Sequence, residues 1–127
     1  MSGTSGDGVD ASIINSDGKG QFKVLINKYF KYTDDISKNI YKLKRNINKV
    51  EDIKKYASEI NDLERKITLF HSNVVSNCTI NNDFEIDLIG FHGQTILHSP
   101  KDKYSKQLGD GKLSVSYTHL TLPTRIF

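Results

Sequence analysis

One cysteine, two prolines and no tryptophan are found among 127 residues. With Cys78 alone, no intrachain disulfide can form and no zinc cluster can be built from thiolates. The expected role of that thiol is a small buried side chain. Apolar residues make up 36% of the chain and the mean hydropathy is −0.49, which is lean for a self-sufficient core. No apolar run approaches the roughly 20 residues that a membrane-spanning helix needs. The first residues lack the basic segment and apolar run of a signal peptide. A cytoplasmic protein with no membrane partner is the expectation. The net charge is +3, but lysines and acids interleave, and no basic stripe with spaced aromatics appears. Nucleic acid is therefore not expected as a partner. The length suits one domain, and no internal repeat is visible.

Small and polar residues are concentrated at the front. Ser2-Gly3-Thr4-Ser5-Gly6-Asp7-Gly8-Val9-Asp10 precedes an alternating run of Val9, Ala11 and Ile13. Glycine lets the backbone approach a ligand closely and adopt positive φ. Thr4, Ser5 and successive N–H groups can donate to an anion such as phosphate. Asp7 and Asp10 can hold Mg²⁺ through oxygen, directly or through water. Gly3 and Gly8 have the outer spacing of a Walker A loop, but Val9-Asp10 stands where Lys and Ser or Thr are required. Gly6 to Ala11 imitates a dinucleotide fingerprint, yet a strand-like alternation follows it. Two readings stay open: a phosphate-cradling strand-turn-strand hairpin, and an ordinary Gly/Ser/Asp turn.

Residues 8–15 read as a strand with Val9, Ala11 and Ile13 on one face. The cluster Asn15 to Gly20 reads as a turn. Phe22, Val24 and Ile26 alternate with polar residues and Leu25, predicting a second strand to about Tyr32 and hence a hairpin. Tyr29, Phe30 and Tyr32 are expected to pack. Thr33 or Asp34 can cap a helix to about Asn48, with Ile36, Ile40, Leu43 and Ile47 on one face. One longer helix is predicted from about Glu51 to Ser76. Its stripe is Ile53, Tyr56, Ala57, Ile60, Leu63, Ile67, Phe70 and Val74, with His71 near its C-terminus, where a protonated ring would suit the macrodipole. A polar loop is expected from Asn77 to Asp83. Phe84 to Ile89 reads as a short buried parallel strand ending at Gly90.

Chemically rich residues follow that strand, where ligands gather in open α/β sheets. His92 and Gln94 can donate and accept, and Thr95 offers a hydroxyl. His92 and His98 are too few for a metal site. His98-Ser99-Pro100 reads as an exit turn. From the residues alone, His92 bonding a loop backbone and Asp110 forming a turn between Gly109 and Gly111 are the plainer readings.

Three of these stretches carry a resemblance. Met1-Ser2-Gly3-Thr4-Ser5-x-Asp7-Gly8-Val9-Asp10-Ala11, with Gly6 at the variable position, resembles the N-terminal signature of the anhydro-N-acetylmuramic acid kinases. Asp87-Leu88-Ile89-Gly90-Phe91-His92-Gly93-Gln94-Thr95-Ile96-Leu97-His98-Ser99-Pro100 resembles that family's His-Gly-Gln-Thr segment, and Gln107-Leu108-Gly109-Asp110-Gly111 its Gln-Leu/Ile-Gly-Asp segment. The motifs occur in the family's order and cover residues 1 to about 113, roughly the first third of a member of usual length.

The resemblance implies a partial N-terminal domain of the actin-like, hexokinase-type α/β fold: hairpin strands, two helices and a further strand. It implies ATP and Mg²⁺ as cofactors, and 1,6-anhydro-N-acetylmuramic acid as the small-molecule substrate. That sugar is phosphorylated at O6 while water opens its anhydro ring, giving N-acetylmuramate 6-phosphate for cell-wall recycling. Gly3, Thr4, Ser5, Gly6, Asp7, Gly8, Val9 and Asp10 would face ATP, with Asp7 and Asp10 on Mg²⁺. His92, Gly93, Gln94, Thr95 and Asp110 would face the sugar. The family's aspartate base belongs to a later motif outside these residues, so no catalytic residue is assigned and no turnover is expected from this stretch alone. A non-enzymatic phosphate-binding or interaction module is the alternative. The family also forms dimers at full length.

The tail departs from that pattern. From residue 114 on, Lys, Asn and Asp disappear, and Val115 to Thr124 resembles the translation of a sequencing-library adapter. Residues 1–113 are therefore read as a truncated kinase domain and 114–127 as non-native, the alternative being a divergent natural tail with some β-propensity from Val, Tyr and Thr. The family also has an apolar strand before Ser2-Gly3-Thr4-Ser5, so the front is read as clipped.

Overall fold

The computed structural model describes residues 6–80, 85–117 and 125–126. Their order is β1 (Gly8–Ser16), β2 (Phe22–Lys31), α1 (Asp34–Asn46), α2 (Asp52–Lys55), α3 (Ala57–Thr79), β3 (Leu88–Ile89), β4 (Gln94–Ser99), β5 (Tyr104–Leu108), α4 (Gly111–Tyr117) and β6 (Arg125–Ile126). The mixed α/β class follows the expectation. Two antiparallel hairpins, β1–β2 and β4–β5, and a short parallel pair, β3–β6, accompany the helices.

The first hairpin closes on Asp17. Its Oδ1 accepts the N–H groups of Lys19 at 2.8 Å and Gln21 at 3.2 Å. Those donors hold its carboxyl below the usual range. Gly18 and Gly20 supply φ of 72° and 125°, which side chains resist. Val9, Ala11 and Ile13 share the inner face as predicted, with Val9 fully buried.

The partner strand departs from its prediction. Ile13 pairs with Ile26, but Ile14 pairs with Val24, so Leu25 is extra and forms a bulge. A one-residue slip exchanges the faces of a strand. Val24 and Phe22 thus join Ile14 on the outer face, at 49%, 68% and 53% exposure, while Ile26 stays half-buried inside.

α1 starts where predicted. The Thr33 Oγ1 accepts the Ile36 N–H at 3.4 Å, with Asp34 and Asp35 in the first turn and Lys44 and Arg45 in the last. Ile36, Ile40, Leu43 and Ile47 are all buried. The single helix predicted for 51–76 is instead two. Asp52 Oδ2 accepts the N–H groups of Asn48 and Lys49, and a one-turn α2 forms behind it. Tyr56 then leaves helical geometry at φ −106° and ψ 23°. Its half-buried ring packs on the core, and Ala57, expected in the stripe, is exposed.

α3 runs to Thr79, so residues 77–79 are helical and not loop. It buries Ile60, Leu63, Ile67 and Val74 as predicted, and Cys78 as well. It also buries Thr68, His71 and Ser72, which the apolar stripe did not foretell. The predicted strand at 84–89 shortens to Leu88–Ile89 among the described residues, and Leu88 is 59% exposed where burial was expected. Its parallel partner is Arg125–Ile126, within the stretch read from sequence as foreign.

Candidate functional site

Two of the three motifs meet in one element that the sequence did not disclose. Gln94 pairs with Leu108, and Thr95 with Gln107, across the β4–β5 hairpin. The His-Gly-Gln-Thr and Gln-Leu-Gly-Asp segments are thus facing strands, where a loop and an exit turn were expected. The signal was present in the turn, residues 100–103. There Ser99 Oγ donates to Asp102 Oδ2 at 2.7 Å, and Lys103 carries a φ of 51°.

The glycines of this hairpin are sterically required. A Cβ on Gly93 would collide with the Leu108 carbonyl oxygen, and one on Gly109 would lie 2.7 Å from the Phe91 ring. Helix α3 holds the junction from the other side. The Gly109 N–H donates to Glu64 Oε2 at 3.1 Å, and the Asp110 N–H to Thr68 Oγ1 at 3.0 Å. The Thr68 hydroxyl in turn donates to the Glu64 carbonyl at 2.7 Å. Asp110 Oδ1 accepts the N–H groups of Lys112 and Leu113, starting α4. Ser72 Oγ donates to the Thr68 carbonyl at 3.0 Å and lies 3.3 Å from the Ser114 hydroxyl, a hydrogen bond that ties α4 to α3.

The candidate sugar-facing residues differ in access. Gln94 is fully buried and donates through Nε2 to the Thr95 carbonyl at 3.2 Å. Thr95 is buried at 9% exposure. His92 is half-buried, with Nε2 3.2 Å from the Gln107 amide nitrogen.

Of the candidate phosphate-facing residues, Gly3, Thr4 and Ser5 lie outside the described residues. Gly6 adopts a φ of 73°, and a Cβ there would meet the Ile40 side chain at 2.9 Å. Its carbonyl accepts the Ser37 hydroxyl at 3.2 Å. The Asp7 carbonyl accepts the Tyr32 N–H at 2.9 Å. Val9 points into the core, while Asp7 and Asp10 are exposed.

Tyr29 is the neighbour that sequence reasoning missed. It pairs with Asp10, and its hydroxyl stands 2.5 Å from where a Gly8 Cβ would lie. Partial desolvation, then the charges of Asp7 and Asp10, push its hydroxyl pKa up. Counting back from the turn without the bulge puts Lys28 opposite Asp10; the extra residue substitutes Tyr29.

Rings connect the two regions. Tyr32 meets Phe70 edge-on at 4.9 Å and lies 6.3 Å from His71. His71 meets Phe91 edge-on at 5.0 Å. A row therefore runs from the backbone partner of Asp7, through α3, to the residue before His92. His71 sits mid-helix at 5% exposure, not at a helix end. Burial pulls its pKa down to about 4, so it is neutral near pH 7 and offers nothing to the macrodipole.

Does the site fit Mg·ATP? Two exposed carboxylates beside a glycine turn are the donor set that Mg²⁺ takes when substrate phosphates and water complete its shell. Among the described residues no three His, Cys, Asp or Glu side chains cluster as an all-protein metal site. The residues fit a metal carried in with its nucleotide. No helix among the described residues is long and apolar enough to cross a membrane.

A glycine-aspartate hairpin at the front, helices packed on it and a second motif-bearing hairpin define a partial N-terminal domain of the actin-like sugar-kinase fold. A family profile described as Anhydro-N-acetylmuramic acid kinase matches residues 1–124. The chain belongs to the anhydro-N-acetylmuramic acid kinase family. It is 49% identical over 113 residues to the protein of that name from Pelagibacter ubique, covering 89% of this chain and 30% of the relative. The Agrobacterium fabrum protein is 33% identical over 121 residues, covering 93% and 32%. The Rhodopseudomonas palustris protein is 32% identical over 113 residues, covering 87% and 31%. The chain thus spans about a third of the length of these curated relatives.

Proposed function

We propose that this chain is the phosphate- and sugar-facing part of an ATP-dependent kinase acting on 1,6-anhydro-N-acetylmuramic acid. The whole enzyme would phosphorylate O6 and let water open the anhydro ring. The observation that carries the reading is the pairing of Gln94-Thr95 with Gln107-Leu108, joined by a row of rings to the backbone of Asp7. That row of rings ties the segment carrying Asp7 to the hairpin carrying Gln94 and Thr95.

Each residue has a task in that reading. The segment Gly3–Gly8 would offer backbone N–H groups to the terminal phosphates, and glycine is needed where Gly8 meets the Tyr29 hydroxyl. Asp7 and Asp10 would hold Mg²⁺ through oxygen, directly or through water. When bound, Mg·ATP supplies the transferable phosphoryl group and the charge that offsets its oxygens. His92 and Thr95 orient the sugar, and Gln94 and Gly93 fix the strand that carries them. Asp110 serves first as the cap of α4, which sets the Gly109 turn beside the sugar. The aspartate base lies in a later motif of the family, so the 127 residues bind and do not turn over. The setting is the cytoplasm, and the full-length enzyme is a homodimer.

Isothermal titration with Mg·ATP, with and without the anhydro sugar, tests the reading. The expected result is binding of both ligands, with no transfer of label from ATP to the sugar. Binding of Mg·ATP with indifference to the sugar would favour a phosphate-binding module instead. Transfer of label would refute the claim of inactivity.

A further inference from the structure

Two buried imidazole nitrogens have no hydrogen-bond partner among the described residues: His71 Nε2 and His92 Nδ1. Buried polar atoms are almost always paired, so each orphan asks for a ligand or a water. Their chemistry follows from the nitrogens that are bonded. His71 Nδ1 lies 2.8 Å from the Ile67 carbonyl oxygen, which can only accept. Nδ1 therefore carries the proton, and Nε2 presents a lone pair. His92 Nε2 lies 3.2 Å from the Gln107 amide nitrogen, which donates. That nitrogen accepts, so His92 Nδ1 carries an N–H. One orphan is an acceptor and the other a donor. Both rings flank Phe91, His92 as its chain neighbour and His71 through an edge-on contact at 5.0 Å.

A hydroxyl can answer both, donating to one nitrogen and accepting from the other. Resting on the sugar-kinase reading above, we propose that His71 on α3 is a sugar-positioning residue whose Nε2 accepts a hydroxyl of the bound sugar, the same hydroxyl that accepts from His92 Nδ1–H. The burial that keeps His71 neutral preserves the lone pair across the physiological range. The residue lies outside all three motifs and outside the apolar stripe of its helix. The sugar enters by displacing whatever covers the two nitrogens, so the orphan pair is satisfied only in the complex.

The test is ¹⁵N spectroscopy of the imidazoles in the 127-residue chain, titrated with 1,6-anhydro-N-acetylmuramic acid. The expected result is both rings in the Nδ1–H tautomer before addition. On addition, His71 Nε2 and His92 Nδ1 then shift along one saturation curve. His71→Phe keeps the ring contacts and should weaken sugar binding about tenfold, the value of one modest hydrogen bond, while Mg·ATP affinity stays unchanged. A purely structural role would lower both affinities together. If the sugar moves the Gln94 and Thr95 amides but leaves His71 Nε2 still, the positioning role fails and the sugar reading survives. If His71 Nε2 is already hydrogen-bonded without sugar and does not change, a resident water or a direct bond to His92 is its partner, and the proposal is overturned. If no resonance responds to the sugar, both readings fall.

Discussion

The two hairpins of this chain each contain a bulge, and the bulges have opposite consequences. In β1–β2 the extra residue, Leu25, turns Phe22 and Val24 outward. In β4–β5 the irregularity lies between Thr95 and Leu97, and both Ile96 and Leu97 stay buried at 4% and 8% exposure. The difference is in what backs them. α3 seats the second hairpin through Glu64 and Thr68, and α1 and α3 cover its apolar side. Of the first hairpin, Val9, Ala11, Ile13 and Phe30 reach that core; the far end, beyond the bulge, closes on the Asp17 turn. A bulge is thus a device whose outcome is set by the neighbours. In one hairpin it adds a core residue, and in the other it exposes an apolar face.

The largest effect that would sharpen this contrast is Gly93→Ala. The new methyl would strike the Leu108 carbonyl, and backbone cannot swing aside as a side chain can. A loss of more than about 3 kcal/mol is expected by denaturant titration. Gly18→Ala, in the open turn of the first hairpin, meets nothing within 4 Å and should cost only about 1 kcal/mol, for its φ of 72°. Equal losses at the two glycines would break the comparison.

Acid should act next, and through α3. His71 is ordinarily protonated below pH 6.5, but burial holds its folded pKa at about 4. The unfolded chain therefore takes up a proton that the folded chain refuses, and stability falls as pH drops from 6.5 to about 4. A shift of that size is worth roughly 3 kcal/mol, fully present above the unfolded value. Thermal melts of the parent should show this fall across the range, and those of His71→Phe, which has no imidazole there to titrate, should lack it. A parent stability that is flat between pH 7 and 4 would contradict a buried neutral imidazole.

A smaller effect is expected at the seat itself. Thr68→Val keeps the shape of a fully buried side chain but removes the acceptor of the Asp110 N–H. The cost should be about 1–2 kcal/mol, the penalty of a partly buried donor left unpaired. The amide of Asp110 should also exchange faster with solvent. Unchanged exchange there would show that Asp110 is held by its cap on α4 alone.

These sites show which features were legible in the sequence. The capped, amphipathic α1 was legible because Thr33 and the Ile36, Ile40, Leu43 and Ile47 stripe are local signals. The turn at Asp17 was legible for the same reason. The motifs were legible as motifs, but their pairing in β4–β5 was not, because nothing local says that Gln94 faces Leu108. The break at Tyr56 was hidden, since the apolar spacing continues through it and only the Asp52 cap starts a separate turn. His71 was hidden by its helical setting. Its meaning depends on Tyr32, Phe91 and His92, which arrive from other elements.

The smallest expected effect belongs to the outer face of the first hairpin, and it decides whether that face stands alone. Phe22 is 68% exposed and pairs with Ser16 beside the Asp17 turn. Phe22→Thr replaces it with another strand former, so backbone preference is kept while apolar area is removed. If solvent is the only neighbour, stability should change by no more than about 0.5 kcal/mol. Ile14 and Val24 on the same face make a larger loss informative. A cost that grows with protein concentration would mean that a second copy covers the face, because only an associated state responds to mass action. A large cost independent of concentration would mean that the face is packed within the chain, and the contrast between the two hairpins would then fail at its root.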